Sequence, residues 1–246
     1  MPDVLGQRAK IGTLVPATNT IVEAEYYQMA PRGVTVHTGR FSFGQRHLRG
    51  HEGEPLPDEA YAALEPAVRQ VVACAPAHLI MGMSAPSYWG GPDGSAAFTS
   101  WLEQQAGVPV TTAAQALDRA LQALDIRRLA LLTPYTADIT GQVERFFVEA
   151  GYEVLATMSL ACPNPLSIAE VSADQLQTAL IELNRDDAQA IVQSGTNLSM
   201  VGLADEAERW LGKPVIAVNT ATFWDALRRV GIRDQLEGFG SLLREH

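Results

Sequence analysis

Two stretches of this chain place residues able to hold and transform a small anion at the ends of apolar runs. The first, Leu79-Ile-Met-Gly-Met-Ser-Ala-Pro-Ser-Tyr-Trp-Gly-Gly91, passes from a buried-strand pattern into small and hydroxylic residues, then into aromatics and a glycine pair. The second, Ala190-Ile-Val-Gln-Ser-Gly-Thr-Asn-Leu-Ser-Met200, repeats that plan. At the end of a parallel strand, glycine lets a ligand approach the backbone, and main-chain N–H groups then serve as anion donors. The amides of Met83, Ser84, Gly195 and Thr196 are therefore expected to form paired nests, with the Ser84 and Thr196 hydroxyls as further donors. The same groups would also cap the helices that follow, so the two roles overlap.

Metal and disulfide chemistry is poorly supplied. The chain has two cysteines, Cys74 and Cys162, too few for a disulfide framework or a structural zinc site. His47 and His51 are four apart, but in a Gly- and Arg-rich segment rather than on a helix face, so no metal is expected. Cys74 falls on a helix predicted over 58–75 and is read as core, as are Trp210 and Trp224.

The elements that must position the two stretches alternate along the chain. Lys10–Pro16 reads as a strand, Ala17–Thr20 as a polar turn and Ile21–Met29 as a helix; Gly33–Gly39 is the next strand. Residues 41–57 lack either periodicity and are a candidate lid. Beyond the strand at 78–83, helices are expected at 95–106 and 113–124 with a strand at 107–112 between them. The second half restarts with strand Arg128–Pro134, and strands at 152–158, 188–193 and 214–218 alternate with helices to residue 230. This spacing predicts an α/β fold of parallel sheets flanked by helices. Leu14-Val-Pro16 matches Leu132-Thr-Pro134, Ser84 matches Ser194, and Pro109 matches Pro214 at a slowly drifting offset. A duplicated βα half is the economical reading: two pseudo-symmetric lobes, over 1–115 with 216–246 and over 116–215, and an interlobe cleft.

Composition limits the partners. A hydrophobic content of 47% across 246 residues is ample for a core, and a net charge of −10 argues against nucleic acid. No apolar run approaches the ~20 residues of a membrane-spanning helix. The N-terminal residues lack a signal-peptide layout, and the cytoplasm is expected. The expected partner is a small molecule lodged in the cleft, and a homodimer is a further expectation.

The chain resembles the aspartate/glutamate racemase superfamily, in its maleate cis–trans isomerase and arylmalonate decarboxylase branch. Val15-Pro-Ala-Thr-Asn-Thr-Ile-Val-Glu23 is similar to an isomerase segment, and Met81-Gly-Met-Ser84 to a decarboxylase segment; Thr133-Pro-Tyr135, Asn164-Pro-Leu166, Ser194-Gly195 and Phe223-Trp-Asp-Ala226 follow in order. The resemblance implies a cofactor-independent enzyme that holds a substrate carboxylate on backbone amides and works through an enediolate-type intermediate. It implies Asn19, Gly82 and Asn164 beside the nests as substrate contacts, and Tyr135 as a polar group on the substrate.

The chain departs from that family at both cysteine positions, which are Gly82 and Ser194 here. A thiol exchanges protons near neutrality and a serine hydroxyl does not without a base. Candidates for the chemical step are Ser194, Tyr135 and Cys162, the last in Leu160-Ala-Cys-Pro-Asn164, where its thiol could replace the missing one. The predicted function is an isomerase or decarboxylase of a small carboxylate or dicarboxylate. The alternatives are a catalytically silent carboxylate-binding homologue and, more weakly, a hydrolytic or lyase activity through Ser194.

Overall fold

The computed structural model describes residues 3–42 and 58–246. The candidate lid lies outside these residues from position 43 onward, as do His47 and His51.

Apolar strands alternate with helices to give two four-stranded parallel sheets. In the first, β1 (Ala9–Pro16), β2 (Val34–Phe41), β3 (His78–Met81) and β4 (Val110–Thr111) lie in the order β2-β1-β3-β4. In the second, β5 (Arg128–Thr133), β6 (Glu153–Ser159), β7 (Ala190–Gln193) and β8 (Val215–Ala217) lie in the equivalent order β6-β5-β7-β8. The α/β class with two matching halves is therefore as expected. Strands β3 and β7 are buried along their whole length, as parallel strands covered on both faces must be.

The flanking helices are α1 (Val22–Met29), α2 (Asp58–Val72), α3 (Gly91–Ala106), α4 (Ala113–Ala123) and α5 (Ala137–Glu149), then α6 (Pro165–Ile168), α7 (Ala173–Leu183), α8 (Val201–Leu211), α9 (Val218–Arg229) and α10 (Ser241–Glu245). Helix α2 buries Leu64, Val68 and Val71 on one face, the spacing its sequence predicts. It ends at Val72, short of the expected Ala75, because Ala75 takes φ 51°, a left-handed conformation that cannot continue the helix. Cys74 thus lies past the helix and is half-buried, with Sγ 3.1 Å from the Val71 carbonyl, rather than in the core. Helix α3 starts a turn earlier than expected, since Pro92 suits a first helical turn. Trp224 is buried as expected, but Trp210 is 40% exposed: α8 buries Val201, Ala204 and Ala207 instead.

One apolar core joins the two sheets. Ile11, Val15 and Ile80 of the first share a buried cluster with Leu131, Ile191 and Val192 of the second. Tyr26 of α1 stacks on Phe223 of α9 at 5.1 Å, and Tyr88 meets Phe146 edge-on at 5.5 Å across the lobe boundary. Each fully buried side chain of this size contributes roughly 1.5–3 kcal/mol, so the boundary is held as firmly as the lobes themselves. A buried polar network fastens β3 and β4 to α4 and α9. His78 Nε2 lies 2.8 Å from Thr111 Oγ1, the Thr111 hydroxyl donates to Asp225, and Arg119 grips the same carboxylate through Nε at 2.6 Å and Nη2 at 2.7 Å. A buried carboxylate held by such a fork has its charge matched in place.

Candidate active site

Strand β3 runs into Gly82-Met83-Ser84 and strand β7 into Ser194-Gly195-Thr196. The first N–H of each turn is still used by the sheet: Gly82 N–H donates to Leu14 O at 2.7 Å, and Ser194 N–H to Leu132 O at 2.9 Å. The N–H groups of Met83, Ser84, Gly195 and Thr196 then donate to no acceptor among the described residues. Gly195 stands at φ 128°, and a Cβ there would lie 2.4 Å from the Pro134 ring, so the close passage of this turn over Pro134 demands glycine.

Three hydrogen bonds join the turns across the lobe boundary. Thr196 Oγ1 donates to Gly82 O at 2.9 Å, Ser194 Oγ donates to the Tyr88 phenol at 2.9 Å, and the Ser84 hydroxyl lies 2.5 Å from the Tyr135 hydroxyl. Gly82 and Ser194, the two positions where the family resemblance leads one to expect sulfur, thus flank one boundary and do not lie on separate surfaces. Ser84 and Ser194 are buried and Tyr135 is half-buried. Burial pushes the Tyr135 pKa up to about 12, against the opposing effect of its bond to Ser84. Burial also drives Tyr88 far above the ordinary phenol range. Both phenols therefore keep their protons at neutral pH and are donors rather than bases.

The remaining sequence candidates are placed differently. Asn19 is buried, but its Oδ1 accepts from the N–H groups of Ile21 and Val22, both at 3.0 Å, and so caps the entry to α1. Asn164 is exposed and does the same for α6, accepting from Leu166 and Ser167 N–H at 3.0 Å. Cys162 is half-buried; its N–H donates to Pro134 O at 2.9 Å, which sets it beside the Tyr135 segment. Burial raises its thiol pKa, the direction that disfavours a thiolate. Gly82 has no room for a side chain: a Cβ would lie 2.8 Å from Val15 Cγ1 and 2.9 Å from Leu14 O.

Sequence reasoning sees Tyr88 only as one of the aromatics that follow the first turn and misses its hydroxyl as the partner of Ser194, 106 positions away. It also passes over Asn197, which accepts from Thr20 N–H at 3.0 Å and donates to Pro165 O at 2.8 Å, a clamp between the lobes. Its signal is an asparagine directly following the Gly-Thr pair of the second nest. Among the described residues, no group of three or more His, Cys, Asp or Glu side chains is arranged to hold a metal ion. No helix among them is long and apolar enough to cross a membrane.

Residues 11–243 match the family model described as arylmalonate decarboxylase. The chain is 28% identical over 247 residues to maleate isomerase of Nocardia farcinica, covering 96% of each chain, and 28% identical over 240 residues to arylmalonate decarboxylase of Bordetella bronchiseptica, again 96% of each. Its fold superposes on the crystal structure of an arylmalonate decarboxylase with a TM-score of 0.82 at 25% identity, over 96% of this chain and all of that one. It superposes on the Nocardia farcinica maleate cis-trans isomerase bound to TRIS with a TM-score of 0.86 at 24% identity, over 96% and 98%.

Proposed function

Because the chain belongs to the arylmalonate decarboxylase family, we propose that it is a cofactor-independent isomerase or decarboxylase of a small carboxylate or dicarboxylate. The relatives are named as maleate isomerases and arylmalonate decarboxylases, and both names describe reactions at a carbon next to a carboxylate. The observation that carries the reading is the pair of turns at Gly82–Ser84 and Ser194–Thr196, in contact through Thr196 and Gly82, with four main-chain N–H groups not engaged by any described residue.

One substrate carboxylate sits on the N–H groups of Met83, Ser84, Gly195 and Thr196. When the bond to a second carboxylate breaks with loss of carbon dioxide, the electron pair moves into the retained carboxylate as an enediolate. The amides meet that growing charge without rearranging, usually the largest single contribution to such a reaction. The proton that ends a decarboxylation comes to carbon from Tyr135, whose phenol stays protonated and is connected to Ser84. Ser194 is a positioned hydroxyl rather than a nucleophile, because its partner is the neutral Tyr88 phenol and not a base. Cys162 is the second candidate donor.

The test is incubation in D2O with maleate, phenylmalonate, aspartate and glutamate, followed by NMR. Product formation or carbon-bound deuterium is expected with at least one of them. Saturable binding with neither would favour a binding protein that has kept the nests and lost the chemistry, the reading that the absence of both thiols supports.

A further inference from the structure

Glu25, on α1, is 3% exposed, and both of its carboxylate oxygens are used. Oε1 accepts from Met200 N–H at 2.9 Å, Val201 N–H at 3.4 Å and Ser199 Oγ at 3.1 Å, so a side chain of the first lobe caps helix α8 of the second. Oε2 accepts from Asn219 Nδ2 at 2.6 Å, and the same Nδ2 donates to Thr196 O at 2.9 Å. Burial raises the Glu25 pKa, while these donors act in the opposite direction.

The Thr196 carbonyl is a sensitive place for such a bond. Thr196 and Asn197 are the corners of a turn closed by Leu198 N–H donating to Gly195 O at 3.0 Å. The peptide between two turn corners is the one that turns over when a turn changes type, because its ends stay in place while it rotates. In a trans peptide the carbonyl and the following N–H point in opposite directions. Anchoring Thr196 O on Asn219 therefore fixes where Asn197 N–H points, and with it the rim of the second nest.

We propose that Glu25 is a positioning residue: through Asn219 it locks the Thr196–Asn197 peptide and so aims the Asn197 N–H, at the rim of the second turn, at a substrate carboxylate. The ligand half of this inference rests on the function proposed above. The geometry half does not.

Glu25→Gln separates this role from charge and from capping. A buried carboxylate near an anion site opposes anion binding by Coulomb repulsion, so removing its charge should by that effect alone tighten binding. Positioning predicts the reverse. A glutamine has one acceptor oxygen; if that oxygen keeps the α8 cap, its NH2 faces Asn219 Nδ2, donor against donor. Asn219 relieves this by turning its amide, which sets Oδ1 against Thr196 O and lets the peptide rotate. Amide NMR of the unliganded proteins is expected to show the Asn197 resonance displaced and its hydrogen exchange faster, with the α8 interior unchanged. Titration with maleate and malonate is expected to show roughly tenfold weaker binding. Asn219→Ala, which leaves the Glu25 cap on α8 in place, is expected to reproduce both effects and serves if Glu25→Gln does not fold. An unchanged Asn197 amide in the folded variant, or tighter binding by Glu25→Gln, would overturn the proposal. If the unmodified protein binds neither dicarboxylate, the proposed ligand is wrong, and the amide comparison still decides what Glu25 does.

Discussion

The Ser194 hydroxyl donates to the Tyr88 phenol oxygen at 2.9 Å, and both residues are fully buried. The bond joins the turn after β7 to the 3₁₀ turn Ala85–Tyr88 that follows β3, so it tethers the two halves of the site at the position where the family resemblance leads one to expect a thiol. A phenol held protonated by burial cannot take the serine proton. The pair therefore orders the boundary and withholds nucleophilic character from Ser194.

A double-mutant cycle measures that tether. Tyr88→Phe and Ser194→Ala each leave a buried hydroxyl without its partner, a loss of about 1–3 kcal/mol apiece in urea unfolding. The double variant removes both and is expected to lose at least about 1 kcal/mol less than the two singles together, since neither orphan remains. Strict additivity would show that the bond contributes nothing.

Tyr135→Phe tests the proton donor. The variant keeps the ring and removes the hydroxyl paired with Ser84, so turnover on whichever substrate is accepted should fall by about 10²–10⁴ with little change in fold. With its pKa at about 12, the Tyr135 phenol holds its proton across the neutral range, and its contribution should decline only as pH approaches that value. A Tyr135-dependent loss of rate already complete by pH 8 would contradict the assignment.

The alternation of strand and helix is legible in the sequence because it is written locally. The apolar run at Ala190–Gln193 and the spacing of Leu64, Val68 and Val71 each announce an element without reference to the rest of the chain. Ser84 and Ser194 are found by the same kind of signal, a hydroxyl just past an apolar strand. What a local pattern does not carry is the partner. Ser84 and Tyr135 are 51 positions apart, and their bond exists only because the lobes meet as they do. Glu23 and Glu25 read alike along α1, yet Glu23 pairs with Arg40 at the surface while Glu25 turns inward to α8. Asn19 and Asn164 show the opposite case, since their capping role is local and explains their side chains' hydrogen bonds.

Restoring sulfur should succeed at one post and be resisted at the other. Ser194→Cys exchanges one γ atom, keeps the site filled, and is expected to fold within about 1 kcal/mol of the parent. If the geometry supports a thiol donor, phenylmalonate or maleate turnover should rise; a folded variant that binds ligand and stays inert would count against it. Gly82→Cys places a Cβ 2.9 Å from Leu14 O and 2.8 Å from Val15 Cγ1, so β1 must give way. A loss of about 1–3 kcal/mol in urea unfolding is expected. Parental stability for Gly82→Cys would show that β1 moves freely there.

His78 makes stability depend on pH in a range where few other side chains titrate. Burial lowers its pKa from the ordinary 6.5 to about 4, with Asp225 opposing that shift and Arg229 and Arg119 adding to it. The folded state thus holds the imidazole neutral, while the unfolded chain takes up a proton as pH falls below 6.5. The contribution is fully present above about pH 6.5, declines as pH falls, and is exhausted near pH 4; a displacement of this size is worth roughly 3 kcal/mol. Urea unfolding at pH 7.5 and pH 5 should show that decline in the parent protein. His78→Gln, which keeps a polar group within reach of Thr111 and cannot titrate, should flatten it; an equally steep decline in that variant would place the acid sensitivity elsewhere.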